Sequence, residues 1–304
     1  MDQIAVLFAG QGAQYPKMGE AFYNENKTAK EWFDRFETLR PGTLAQCFGE
    51  DKELLSKTVN TQPCIFTVDF AIAAALKEAG LPLSAAAGFS LGEIPALAFA
   101  GFLKPEDAFH LVCYRGMVMD QAAEKHPGGM QAVVKLDRKT VETLAEKYNE
   151  VYPVNYNSPK QTAVAGNPEE LKSFAKDVKE AGGRAIPLVV SGAFHSPFME
   201  EAKEALEEYL KQAEILDGWC PVYANKTAEP YRKEDAEHLM AEQVNHPVLW
   251  VDTIRNMISQ GIRCFIEVGP GKTLSGLVAK IAEDATVYHV ETPEDLEEVL
   301  QKLK

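Results

Sequence analysis

The pentapeptide Gly88-Phe89-Ser90-Leu91-Gly92 is the one Gly-x-Ser-x-Gly in the chain. It is preceded by Ser84-Ala85-Ala86-Ala87, a small apolar run that reads as a buried strand. It is followed by Glu93–Ala100, which reads as a helix with an acid in its first turn, where the dipole favours negative charge. A serine on such a sharp strand-to-helix turn exposes Oγ, and glycine on either side avoids a clash in the strained elbow. The N–H of Leu91 then faces any oxyanion that forms. The chemistry implied is nucleophilic attack on a carbonyl with a covalent acyl-serine. The bland alternative is a chance Gly-x-Ser-x-Gly in a loop.

A serine needs a base. His110 falls mid-helix, His126 in the breaker His126-Pro127-Gly128-Gly129, and His238 on a charged helix; these read as structural or solvated. His195 sits in the turn-rich Gly192-Ala193-Phe194-His195-Ser196-Pro197 at an expected domain junction, where clefts form. It is the candidate base, against the alternative of a satisfied loop histidine. The first strand, Ile4–Phe8, runs into Ala9-Gly10-Gln11-Gly12-Ala13-Gln14. Loops after parallel strands line sites, so the Gln11 N–H is a candidate second oxyanion donor. A dinucleotide-binding reading of this loop fails because Tyr15 stands at the third glycine position. Gly271-Lys272-Thr273 imitates the end of a P-loop, but Ile266 occupies the required first glycine position.

These residues need a scaffold. Apolar strand-like runs alternate with helical stretches, which predicts an α/β fold with a parallel sheet. Strands are expected at 4–8, 84–87 and 264–268, with helices at 62–79, 93–100 and 105–123. The middle differs. Strand 130–136, helix 138–149, strands 151–157 and 162–165, helix 168–181 and strand 184–190 follow in the order βαββαβ, the ferredoxin-like pattern. The expectation is a large α/β-hydrolase-like domain (1–126 and 191–304) with an inserted small ferredoxin-like domain (127–190).

Composition narrows the function classes. The chain has 304 residues, 46% hydrophobic and 25% charged, ordinary for a soluble globular protein. A formal net charge of −14 argues against nucleic acid as a partner. If the partner is itself acidic, a local basic patch must dock it; Lys160, Arg184, Lys272 and Lys280 are expected near the mouth of the site. No apolar run reads as long enough to cross a membrane, and the N-terminus reads as a first strand and not as a signal peptide. Cys47, Cys64, Cys113, Cys220 and Cys264 are scattered without Cys-x-x-Cys, which points to reduced thiols in a cytoplasmic protein with no metal site. A monomer is expected.

Together with the motifs above, Tyr156-Asn157-Ser158-Pro159, Pro221-Val222-Tyr223-Ala224-Asn225, Gln243-Val244-Asn245-His246-Pro247-Val248-Leu249-Trp250 and Glu267-Val268-Gly269-Pro270-Gly271 resemble the malonyl-CoA:acyl-carrier-protein transacylases of type II fatty acid synthesis. The resemblance covers nearly the whole chain in order and spacing. It implies a Ser90–His195 dyad in which a backbone carbonyl, from Asn245 or its neighbourhood, and not an aspartate, orients the histidine. It implies an oxyanion hole from the amides of Gln11 and Leu91, a site glutamine at Gln243, and Arg115 as the binder of the malonyl carboxylate. Malonyl-CoA would be the substrate, with no cofactor, and acyl carrier protein the partner that brings the phosphopantetheine thiol. Arg115 also reads this way from its surroundings: it follows Leu111-Val112-Cys113-Tyr114 on the helix after the elbow, and a guanidinium among apolar residues needs an anion. A structural ion pair is the alternative. Phe194 resembles the malonyl-selective members, where branched-acyl relatives tend to carry serine. One departure is Phe89, where the family usually has histidine.

A hydrolase would use the same elbow, but its usual order is serine, acid, then a late histidine, and no acid presents itself. A carrier-binding subunit without turnover fits poorly with an intact Ser90/His195 pair. A trans-acting acyltransferase of polyketide synthesis would carry the same motifs.

Overall fold

The computed structural model describes residues 3–303. Nine strands form two sheets among them: β1 (Gln3–Phe8), β2 (Leu83–Gly88), β3 (Gly129–Val134), β4 (Val151–Ser158), β5 (Gln161–Gly166), β6 (Arg184–Pro187), β7 (Val222–Tyr223), β8 (Ile262–Val268) and β9 (Thr286–Val290). The first sheet has the order β7-β2-β1-β8-β9 and every pairing in it is parallel. Its strands read as continuous apolar runs because both faces are covered. Val6 and Phe8 enter one core cluster, Ala5 and Leu7 another.

Register decides where the site can be. Phe8 pairs with Gly88 on one side and with Val268 on the other. The carboxyl ends of β1, β2 and β8 are therefore level, and the loops that follow converge on one edge of the sheet. Ligands of open parallel sheets bind at that edge.

The second sheet is built wholly from residues 129–187. Its order, β4-β5-β3-β6, and antiparallel pairing are those of the expected βαββαβ pattern. Helices Arg138–Ala145 and Pro168–Glu180 cover it through Val133, Val141, Val164, Phe174 and Val178. Backbone bonds join β4 to the rest of the molecule: Val248 N–H donates to Val154 O at 2.8 Å and Tyr156 N–H to Val248 O at 3.0 Å.

Several element limits differ from expectation. The long core helix runs Thr58–Glu78, starting before Gln62, with Pro63 inside it and not at its start. By length and composition this helix could cross a bilayer, contrary to the sequence reading, but 89% of its most apolar window is buried in the protein. The strand expected to reach Val190 stops at Pro187, which has no N–H to continue a ladder. The helix expected to reach Asn149 ends at Ala145 and continues as turns. The helices Glu20–Glu25, Lys27–Leu39, Thr43–Phe48 and Lys52–Ser56 were not anticipated. They pack Phe33 and Phe36 into the main core.

Candidate active site

Ser90 stands where β2 turns into helix Glu93–Ala100, through one 3₁₀ turn (Ser90–Gly92). Its φ is +53°, a left-handed conformation that costs a non-glycine residue of order 1–3 kcal/mol. The elbow is too tight for side chains at either glycine. A Cβ on Gly88 would lie 1.9 Å from the Gly92 carbonyl, and one on Gly92 would lie 2.2 Å from Phe8 O.

His195 also has positive φ, +62°, and is buried. Its Nε2 lies 2.6 Å from Ser90 Oγ. Its Nδ1 lies 2.9 Å from Gln243 O and 3.2 Å from His246 O. Two carbonyl acceptors require the Nδ1–H tautomer, which leaves the Nε2 lone pair facing the serine hydroxyl. Burial, then the charge of Arg115, push the imidazole down to about 4, so it is neutral at physiological pH and able to take a proton. The orienting carbonyls come from Gln243 and His246. Asn245 itself does not supply one; its side chain donates to Glu200 at 2.6 Å.

Arg115 comes from helix Pro105–Lys125 and is 1% exposed. Nη1 donates to Gln62 Oε1 and Nη2 to Gln243 Oε1, both at 2.8 Å, and Nη2 is 3.4 Å from Ser90 Oγ. Among the described residues no carboxylate lies within ion-pair distance of it; the buried Glu93 acts on it only at longer range. Burial lowers its pKa only to about 10, partly offset by Glu93, and it stays charged. A fork fixed by two amides and aimed at a nucleophile is prepared for a carboxylate. Gln243 ties the pieces together, since its Nε2 also donates to Ser90 O at 2.6 Å.

The β1 loop abuts the elbow: a Cβ on Gly10 would lie 2.5 Å from Phe89 O. The Gly10–Ala13 turn is closed by Ala13 N–H donating to Gly10 O, which does not use the Gln11 amide. The Leu91 amide is in the first turn of a helix, where no intrahelical acceptor exists. The Ser90 amide, by contrast, donates to Asn225 Oδ1 at 2.7 Å. Phe194 is buried in the main core, next to His195 in sequence.

A cavity of about 240 Å³ opens beside the elbow, lined by Gly10, Gln11, Phe89, Asn155, Asn157, Gln161 and Leu188. The buried Oδ1 atoms of Asn155 and Asn157 have no hydrogen-bond partner among the described residues. Acceptors of this kind fit the N–H groups of an amide-bearing arm. Thr273, which begins the helix of the P-loop look-alike, borders the same cavity. Two of the N–H groups in that helix's first turn are already used, because Leu274 and Ser275 donate to Glu267 at 2.9 and 2.7 Å.

Sequence reasoning assigned no role to Gln62, Asn225, Glu93, Tyr231, Asn155 or Asn157. Asn225, Glu93 and Asn157 lay inside or beside motifs already singled out, but nothing in their spacing shows what they face.

An acyl transferase domain model matches residues 6–292. The malonyl CoA-acyl carrier protein transacylase of Bacillus subtilis (strain 168) is 38% identical, over 100% of this chain and 98% of that protein. The crystal structure of the same-named protein from Clostridium perfringens superposes with a TM-score of 0.95 at 40% identity, covering 99% of this chain and 97% of that one. A malonyl-transacylase solved in complex with its type II PKS acyl-carrier protein superposes with a TM-score of 0.95 at 30% identity, over 99% of both chains. On these matches, which span the elbow, the β1 loop and the second sheet alike, the chain belongs to the acyl transferase family, among the malonyl CoA-acyl carrier protein transacylases.

Proposed function

We propose that this protein transfers the malonyl group of malonyl-CoA to the phosphopantetheine thiol of an acyl carrier protein, through a malonyl-Ser90 intermediate. The observation that carries the reading is the amide-clamped Arg115 fork 3.4 Å from a serine that is paired with a neutral histidine. His195 Nε2 takes the Ser90 proton as Oγ attacks the thioester carbonyl. The developing oxyanion is received by the amides of Gln11 and Leu91. The tetrahedral intermediate collapses, the C–S bond breaks, and imidazolium returns the proton to the CoA sulfur. The carrier thiol then enters along the same path and gives its proton to His195. It attacks the malonyl ester, and Ser90 leaves with that proton.

Arg115 pairs with the malonyl carboxylate in both half-reactions and so holds the reacting carbonyl at Ser90. Asn155 and Asn157 receive the amides of the pantetheine arm, which CoA and the carrier share. We treat 127–190 as an inserted domain that supplies this second wall. The carrier docks across the cavity mouth, and the complex known for a relative supports that class of partner. The test is incubation with radiolabelled malonyl-CoA, then with holo-carrier. Label on Ser90 that moves to the carrier is the expected result; no labelled serine would refute the reading.

A further inference from the structure

Glu93 is a buried acid beside the nucleophile that the transfer scheme leaves without a task. It opens the elbow helix and has 0% exposure. Oε2 accepts the Asn225 N–H and Oε1 the Tyr231 hydroxyl, both at 2.5 Å. Asn225 carries the constraint onward: its Oδ1 receives the Ser90 N–H at 2.7 Å and its Nδ2 donates to Gly88 O at 2.6 Å. Glu93 thus holds the residue that holds both ends of the elbow.

It also balances charge. The hydrogen bonds of Arg115 go to two neutral amides and the Ser90 hydroxyl, and Glu93 is the carboxylate whose field it feels. Tyr231, Asn225, Gln243 and Arg115 face Glu93, and only Arg115 among them is charged. Tyr231 stays neutral because burial and Glu93 push its hydroxyl well above the usual range; His195 stays neutral because burial holds it near 4. Around the Ser90–Arg115 pair, then, stand one guanidinium and the Glu93 carboxylate that acts on it. An acyl carboxylate arriving at Arg115 adds a second negative charge in a buried space, which is costly unless one is neutralised.

We propose that Glu93 is a positioning residue that holds the Ser90 elbow through Asn225 and takes up a proton from solvent when a carboxylate-bearing acyl group binds at Arg115. The proposal rests on the malonyl-transfer reading above. Burial has already pushed Glu93 up to about 7 against its hydrogen bonds, so little further shift is needed. On protonation one oxygen can keep the Asn225 N–H while the other donates to a turned Tyr231 hydroxyl, so the hold on the elbow survives. The protonated form binds malonyl better. Malonyl affinity is then highest below neutral pH and falls as pH rises through about 7.

The experiment is calorimetric binding of malonyl-CoA and acetyl-CoA to Ser90→Ala, in buffers of different ionisation enthalpy. Malonyl-CoA should take up a proton near neutral pH and lose on the order of tenfold in affinity from about pH 6 to about pH 9, one unit of coupled pKa. Acetyl-CoA, with the same phosphates, should show neither effect. In Ser90→Ala/Glu93→Gln, where glutamine imitates the protonated acid, uptake should vanish and affinity stay flat. Tyr231→Phe removes a donor to the carboxylate, so the uptake window should move to higher pH. Uptake that is absent from Ser90→Ala, that persists without Glu93, or that is unmoved by Tyr231→Phe would overturn the proposal. If wild-type enzyme still forms malonyl-serine, the functional reading survives that outcome. No binding of malonyl-CoA and no malonyl-serine would overturn both.

Discussion

Replacing Arg115 tests the assignment of the acyl group most directly. The guanidinium is 1% exposed and clamped by Gln62 and Gln243, so an incoming carboxylate meets a preformed partner. Removing one member of a buried, hydrogen-bonded charge pair costs about 2–5 kcal/mol, which is about 30-fold to about 5,000-fold in kcat/KM. Arg115→Ala also orphans the Oε1 atoms of Gln62 and Gln243, each costing about 1–3 kcal/mol of stability. Loss of activity alone would therefore not separate recognition from damage. The ratio of kcat/KM for malonyl-CoA to that for acetyl-CoA does separate them, because both substrates meet the same altered protein. That ratio should fall by at least about 30-fold in Arg115→Ala and recover only partly in Arg115→Lys, whose ammonium restores charge without the planar fork. A ratio that the alanine variant leaves unchanged would refute the assignment, and some other group would have to read the carboxylate.

Ser90→Ala should show no malonyl adduct by intact mass after exposure to malonyl-CoA; an adduct that persists would place the nucleophile elsewhere. His195→Ala should acylate about 10²–10⁴-fold more slowly while retaining its fold by circular dichroism, and a near-normal rate would direct attention to another base. Because His195 is neutral above about 4, against an ordinary 6.5, the unfolded chain binds its proton first as pH falls. Folding stability should drop between about pH 6.5 and about pH 4, and denaturant titrations of His195→Ala should lack that part of the slope. Asn225→Ala leaves the Ser90 N–H and Gly88 C=O without their partner, so melting temperature and kcat should both fall, kcat by about tenfold or more; an unchanged kcat would show that the elbow holds itself. Lys160 and Lys272 adjoin cavity-lining Gln161 and Thr273, whereas Lys280 lies in the last turn of its helix, about 10 Å farther on. Charge reversal at the first two should raise the KM for carrier and spare the reaction with CoA, with less effect at Lys280. Equal values for all would remove this patch as the docking surface.

The local elements were legible in the sequence because local chemistry imposes them. Gly88 and Gly92 mark the elbow, since no other residue fits where a Cβ would meet backbone at about 2 Å. The apolar runs at 4–8 and 264–268 are strands, since a parallel sheet covered on both faces takes continuous apolar segments. The βαββαβ order of the middle segment was visible as alternating periodicity, and the observed sheet order β4-β5-β3-β6 is the packing that order allows. Limits were less legible. The core helix was expected from Gln62, yet side-chain bonds from Asn60 and Thr61 to the preceding turn accompany its start at Thr58.

Ser90, His195, Arg115, Gln11, Leu91 and Gln243 could be named from motif and resemblance, because each lies in a stretch whose residue types already restrict the chemistry. Their relations could not. Ser90 and His195 are 105 positions apart and Arg115 and Gln243 128 apart, and only the level ends of β1, β2 and β8 and the return of the chain from the second sheet bring them together. Nothing along the chain says that Gln243 orients the histidine by its carbonyl and the arginine by its side chain, or that Glu93 reaches Ser90 through Asn225. Sequence determines what each residue can donate, accept or carry. Whether a carboxylate is solvated or buried, and which charge it faces, is set by distances and burial that exist only once the chain has closed on itself.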